Sequence, residues 1–144
     1  MRKKAWAVWK GDMKGGGGTI STETGVLKEV PYGFKARFEN GPGTNPEELL
    51  GAAHAACFSM ALSGMLGEAG LTADKIETHA EVSLDKVGDG YEVTASHLSV
   101  VATIPGAEDS KFQEIAERAK AGCPLSKVMR AKITMDAQLS SAKT

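Results

Sequence analysis

A chain of 144 residues has the length of one ordinary domain and can bury a hydrophobic core without disulfides or metals. Hydrophobic residues make up 42% and charged residues 24%, the balance of a soluble globular protein. The net charge of -1, with scattered Lys and Arg, argues against nucleic acid or membrane as a partner. The apolar stretch at residues 5–9 is too short for a signal peptide, and no segment approaches the ~18 apolar residues of a membrane span. We therefore expect a cytoplasmic protein.

The first 40 residues have the features of short strands. An aromatic segment at residues 4–9 and a β-branched segment at residues 19–24 flank a run of four glycines. In residues 34–38 apolar and basic side chains alternate, which predicts a strand with Arg37 on its outer face. We expect a small antiparallel β-meander over about residues 1–40.

A long helix over about residues 46–69 is the clearest predicted element. Asn45 suits the N-cap, Pro46 suits the first helical position, and the next two residues are glutamates that favour the positive end of the helix dipole. Gly70 is the predicted C-terminal stop. Beyond its first turn the helix carries one charge, Glu68, which predicts a buried central helix.

The last part of the chain, about residues 75–140, predicts a hairpin followed by helices and a strand. Residues 76–86 alternate cleanly, and Gly88-Asp-Gly90 is a hairpin signal. The return strand at residues 91–104 switches its alternation midway, which predicts a β-bulge or a strand buried on both faces. The remaining predicted elements are a helix at 109–121, a short helix at 125–130 and a strand at 133–139. The predicted fold is α+β, with antiparallel sheets around the long central helix in a single domain of residues 1–144.

Two cysteines are the candidate reactive groups. Cys57 lies inside the predicted central helix, and Cys123 lies at a helix junction before Pro124. A permanent structural disulfide is unexpected in a reducing compartment. From local electrostatics Cys123 has the better reason to be acidic, since an N-cap thiol faces the positive end of a helix dipole. Cys57 would need a cationic partner from elsewhere, and an arginine suits that task.

Four stretches resemble the OsmC/Ohr family, the osmotically inducible and organic-hydroperoxide-resistance proteins. Residues 44–60 are similar to its central-helix signature, and the other three stretches resemble the OsmC branch. In order along the chain, the four stretches read GTISTETG (18–25), PYGFKARF (31–38), TNPEELLGAAHAACFSM (44–60) and KAGCPLS (120–126).

The resemblance implies a cysteine-dependent hydroperoxide reductase active in oxidative and osmotic stress defence. It aligns Cys57 with the peroxide-attacking thiol and Cys123 with the resolving thiol, which reverses the assignment from local electrostatics. Arg37 and Glu47 align with the pair that activates the first thiol. No bound cofactor or metal is implied, but an external dithiol of the lipoyl or thioredoxin-like kind is required as reductant.

The family arrangement is an intertwined homodimer with active sites at the interface, and helix geometry agrees with it. Glu47 and Cys57 are ten residues apart on one predicted helix, or about 15 Å along its axis. A straight helix cannot bring both to one site. Either the helix breaks, or Arg37 and Glu47 reach Cys57 from a second subunit.

Three points stay open from the sequence. His54, three residues before Cys57, allows a rival His/Cys metal site with His79 and His97, although no close ligand cluster is visible. A dimer that keeps the fold without turnover is a non-enzymatic alternative, and it predicts thiols inert to peroxide. The preference between organic hydroperoxides and hydrogen peroxide is the third open point. An apolar pocket would favour organic hydroperoxides, and its candidate residues are Phe34, Phe38, Phe58 and Met60. We expect at least two of these four side chains to pack in the core instead.

Overall fold

Strands β1 (Ala5–Lys10), β2 (Gly17–Thr22) and β3 (Val30–Tyr32) form the first sheet of this computed structural model, which describes residues 1–140. They pair antiparallel in the order β1-β2-β3, as expected for a meander. Gly18 is required in β2, since a Cβ there would lie 2.4 Å from the carbonyl oxygen of Val8.

Residues Phe34–Phe38 form a short helix, α1, so the prediction of a strand there is wrong. The N–H of Arg37 donates to the carbonyl of Gly33 over 3.1 Å, as in a helical turn. Phe34 and Phe38 are four residues apart, and this spacing places two side chains on one face of either a strand or a helix. Their rings pack at 5.0 Å between centroids. The alternation was therefore ambiguous, and Arg37 lies on a helix beside these rings instead of on a strand face.

Helix α2 (Pro46–Glu68) is continuous and is capped as predicted. The Asn45 side-chain oxygen accepts the Glu48 backbone N–H at 2.7 Å. At the other end Gly70 adopts φ 77°, and the Leu71 N–H donates to the Leu66 carbonyl at 2.8 Å, which together form a Schellman stop.

Helix α2 buries one stripe and leaves its opposite face exposed in the single chain. Met60, for example, is 79% exposed. By length and composition α2 could cross a membrane, contrary to the expectation that no segment comes close, although core helices of soluble proteins pass the same test. The buried stripe consists of Gly51, His54, Phe58, Leu62 and Leu66.

The second sheet contains β4 (Lys75–Val87), β5 (Gly90–Thr103) and β6 (Lys132–Ser140) in the order β4-β5-β6. A register shift between Ser83 and Leu84 confirms the predicted bulge. Strand β6 runs parallel to β5 and makes this sheet mixed, because the chain crosses over through helices α3 (Asp109–Gly122) and α4 (Pro124–Val128) before returning.

The hydrophobic core brings together the buried stripe of α2, the inner face of β5 and one face of α3. The burial of each large apolar side chain there stabilises the folded state by about 1.5–3 kcal/mol. The fully buried members include Phe58, Leu62, Leu66, Leu98, Phe112, Ile115 and Cys123. The chain divides into two compact units, Met1–Leu49 and a second that begins at Leu50 inside α2.

Candidate active site

The two cysteines meet within the second unit. Cys57 is half-buried on α2, and Cys123 is fully buried where α3 ends and α4 begins. The Cys123 N–H donates to the Ala119 carbonyl at 2.9 Å, and Pro124 then restarts the chain as α4. This turn brings the Cys123 side chain into hydrogen-bonding contact with the Cys57 side chain. Both thiols are free, and they belong to residues 66 positions apart in the sequence.

Burial is the main cause that raises the pKa of the Cys57 thiol above its ordinary value. The hydrogen bond with Cys123 acts in the same direction, while a hydrogen bond from the Leu125 backbone N–H opposes them. The surroundings of Cys57 within the second unit thus disfavour its nucleophilic thiolate form, and a nearby cation would favour it.

The position of Cys123 at the start of α4 agrees with the sequence, but the expected contact of its thiol with the end of that helix is not observed as a capping hydrogen bond. Its side chain makes no capping hydrogen bond to α4, although the residue occupies the N-cap position. Helix α4 has only five residues.

Arg37 and Glu47 form a bidentate ion pair within the first unit. The guanidinium Nε donates to Oε1 at 2.9 Å, and Nη2 donates to Oε2 at 3.1 Å. Helix α1 carries the arginine, and the first turn of α2 carries the glutamate. The Phe38 ring lies 5.5 Å from the guanidinium carbon. This geometry holds the plane of the guanidinium in one orientation.

The predicted site residues are therefore observed as two pairs, each within one unit. Helix α2 is unbroken between Glu47 and Cys57, so the helix break that would have shortened the 15 Å axial separation is not observed.

An apolar cavity of about 190 Å³ lies beside Arg37 in the first unit. The rings of Phe34 and Phe38 line it, together with those of Trp9 and Tyr32, which contact each other edge to face at 5.4 Å between centroids. Of the four candidates for an apolar pocket, these two phenylalanines line a cavity. Phe58 is a fully buried core residue and Met60 is exposed.

His54 makes a hydrogen-bond network that the sequence interpretation missed. It is fully buried, with Nδ1 bonded to the Ser96 hydroxyl at 2.7 Å and Nε2 bonded to the Ser126 hydroxyl at 2.8 Å. Burial lowers the pKa of His54, so the ring is held neutral, with one nitrogen donating and the other accepting. Its position on the apolar stripe of α2, one turn before Cys57, was the available sequence signal.

The three histidines that the metal hypothesis invoked do not come together in the part of the chain that the structure describes. Among residues 1–140 no three His, Cys, Asp or Glu side chains lie together in a group that could hold a metal ion. Both ring nitrogens of His54 are engaged by serines. His79 bonds to Glu77, and His97 bonds to Thr134 and Asp136.

Known proteins resemble this chain over most of its length. The family model described as OsmC-like protein matches residues 39–138. The chain is 58% identical over 141 residues to Peroxiredoxin OsmC of Escherichia coli (strain K12), covering 98% of this chain and 99% of the relative. It is 30% identical over 126 residues to Organic hydroperoxide resistance protein OhrB of Bacillus subtilis (strain 168), covering 87% and 90%.

Solved structures show the same fold. The crystal structure of OhrB of Bacillus subtilis has a TM-score of 0.67 at 29% identity and covers 95% of this chain and 98% of that one. An OsmC-like protein of unknown function from Vibrio cholerae has a TM-score of 0.76 at 14% identity, covering 95% and 99%. The predicted α+β fold of this family, with two small sheets and a central helix, is confirmed.

Proposed function

Because this chain belongs to the OsmC family, we propose that it is a thiol-dependent peroxidase that reduces organic hydroperoxides, and hydrogen peroxide as well, to alcohols or water. The observation that carries the proposal is the contact between the free thiols of Cys57 and Cys123. The relatives named for peroxiredoxin activity and organic hydroperoxide resistance support it.

The reaction begins at Cys57. Its thiolate attacks one oxygen of the O–O bond, the bond breaks, and the departing alkoxide or hydroxide takes up a proton. Cys57 becomes a sulfenic acid. The Cys123 thiol then displaces its hydroxyl as water and forms the Cys57–Cys123 disulfide. The two thiols thus supply the two electrons that the hydroperoxide gains.

An external dithiol returns the enzyme to its starting state by thiol–disulfide exchange. We propose a lipoyl or thioredoxin-like donor and no bound cofactor, since the electrons pass through cysteine sulfur alone. We also propose a cytoplasmic location, where such donors keep thiols reduced.

Arg37 and Glu47 act on Cys57 across a homodimer interface in this proposal. Cys57 needs a cation because burial raises its pKa. Arg37 is such a cation, held in orientation by Glu47, and it would also stabilise the negative charge of the leaving oxygen. The unbroken helix α2 favours supply by a second subunit over supply by the same chain. The exposed apolar face of α2 supports burial against a second copy.

The aromatic cavity beside Arg37 favours organic substrates. A hydroperoxide bound to Arg37 through its oxygens would place an apolar tail against Phe34 and Phe38. Hydrogen peroxide gains nothing from these rings, so we expect organic hydroperoxides to be reduced more efficiently.

Thiol counting after addition of stoichiometric cumene hydroperoxide tests the activity. The reduced protein is expected to lose both thiols to an intramolecular disulfide. Cys57→Ser should abolish peroxide consumption, whereas Cys123→Ser should complete one turnover and leave Cys57 sulfenylated or over-oxidised. Thiols that remain unchanged would refute the peroxidase and favour a dimer without turnover. The opposite behaviour of the two variants would reverse the assigned roles.

Subunit mixing tests the shared site. Cys57→Ser and Arg37→Met proteins are each nearly inactive in this proposal. After unfolding and refolding together, random pairing should restore about a quarter of wild-type activity, since half of the dimers would hold one complete site. A mixture no more active than its components would show that Arg37 serves the Cys57 of its own chain.

A further inference from the structure

His54 is a buried titratable residue for which the proposed peroxidase chemistry has no use. It lies on the stripe of α2 that faces the core, and its ring joins two other elements. Ser96 of β5 bonds to one nitrogen and Ser126 of α4 bonds to the other. Any buried histidine needs hydrogen-bond partners for its ring nitrogens. Here the two partners connect helix α2, which carries Cys57, to the sheet and to the segment after Cys123.

We propose that His54 is a positioning residue that holds the turn Cys123–Ser126 against α2, so that Cys123 stays within reach of the oxidised Cys57 sulfur. The inference rests on the proposed function, in which Cys123 resolves a sulfenic acid on Cys57.

Few side chains of the turn are fully buried. None of the five residues of α4 is buried, and Val128 at its end is 71% exposed. Apolar burial anchors the segment through Leu125, which is partly buried against the core, and through Cys123, which is fully buried. The hydrogen bond from Ser126 to His54 is a separate, polar anchor three residues further along the chain.

Three contacts join this turn to one face of α2. The Cys123 side chain and the Leu125 backbone N–H both contact the Cys57 thiol, and the Ser126 hydroxyl contacts His54 one helical turn earlier. When Cys57 becomes a sulfenic acid, its S–H group is replaced by S–OH and the contact with Cys123 must rearrange. The His54–Ser126 bond does not involve sulfur, so it persists through that step and keeps the two sulfur atoms close.

The neutral ring that burial favours is compatible with both bonds. A histidine held neutral by burial donates through one nitrogen and accepts through the other, and each serine hydroxyl can take either role. Ser96 fixes the ring from the sheet side and thereby directs Nε2 towards Ser126.

Removing the Ser126 hydroxyl tests the inference with little risk to folding, because α4 buries no side chain. In Ser126→Ala we expect disulfide formation after one equivalent of peroxide to slow about tenfold. Sulfenic acid on Cys57, trapped with dimedone, should accumulate, and over-oxidation should begin at lower peroxide concentration. Ser126→Thr keeps the hydroxyl and should resolve close to the wild-type rate.

Ser59→Ala is the matched control. Ser59 also lies on α2, near Cys57, but its hydroxyl bonds to Thr78 of β4 at 2.7 Å. It should leave the rate of disulfide formation within about twofold of wild type.

Disulfide formation at the wild-type rate in Ser126→Ala would overturn the inference, and so would equal slowing in Ser59→Ala. Either result would leave the peroxidase proposal intact if the wild-type protein forms the disulfide. Absence of any disulfide in the wild-type protein would instead refute the proposed function on which the inference rests.

Discussion

Glu47→Gln tests whether the orientation of Arg37 matters for peroxide attack. The carboxylate accepts two parallel hydrogen bonds from the guanidinium, at 2.9 and 3.1 Å. A glutamine offers one acceptor oxygen, and its amide group places a donor against the second guanidinium N–H. The substitution therefore removes the charge and the bidentate geometry together while it preserves the size of the side chain.

The expected loss of activity in Glu47→Gln depends on how exposed the Arg37–Glu47 ion pair is. A hydrogen bond to a charged group contributes about 1.5–3 kcal/mol, and an exposed ion pair contributes about 0–1 kcal/mol. Glu47 is 12% exposed and Arg37 is 37% exposed, which places the pair between these limits. We expect a loss of about 1–2 kcal/mol in transition-state stabilisation, or about 5- to 30-fold in the rate of attack.

Stopped-flow measurement of the first oxidation of Cys57 by cumene hydroperoxide checks this rate. Glu48→Gln is the control, because Glu48 also lies in the first turn of α2 but its carboxylate accepts from Thr44 at 2.8 Å. It should leave the rate within about twofold of wild type. In an Arg37→Met background, Glu47→Gln should add no further loss, since the two residues act as a unit.

Equal rates for Glu47→Gln and Glu48→Gln would refute the reasoning. An additive loss in the double variant would do so as well, because Glu47 would then act independently of Arg37.

Three further predictions concern acidity and stability. Arg37→Met should move the pH dependence of Cys57 alkylation to higher pH, because burial and Cys123 raise the Cys57 pKa and no cation then opposes them; an unchanged profile would contradict this. The free energy of unfolding should fall as the pH drops below about 6.5, because His54 binds a proton in the unfolded chain while burial lowers its pKa in the folded one. This one residue can contribute at most about 1.4 kcal/mol per pH unit to the slope. His54→Gln should remove this part of the slope in urea titrations, and an identical slope would refute it. Leu62→Ala should destabilise by about 2–5 kcal/mol in the same assay, against about 0.5 kcal/mol or less for exposed Ser63→Ala, and similar values for both would show that α2 is packed differently.

Elements with strong local signals were predictable. The N-cap at Asn45, the stop at Gly70 and the hairpin after β4 each depend on backbone geometry that a few adjacent residues dictate. The bulge was visible as a change of parity within residues 91–104. These predictions are confirmed because neighbouring residues determine them without distant contacts.

The helix at Phe34–Phe38 was missed because its pattern fits two periods. Side chains at i and i+4 share a face in a strand and in a helix alike, and five residues are too few to separate the periods. The parallel placement of β6 against β5 is likewise absent from local pattern, since it depends on the path of the crossover through α3 and α4.

The amino-acid sequence by itself determined the family signature, the two cysteines and the pair Arg37 and Glu47 as the residues to consider. Only the tertiary structure decided which side chains meet: the thiols of Cys57 and Cys123 within one unit, and a bidentate ion pair within the other. It also decided that His54 is bonded on both nitrogens, to residues 42 and 72 positions further along the chain. Contacts between residues so far apart depend on how whole elements pack, and local residue preferences carry no information about that packing.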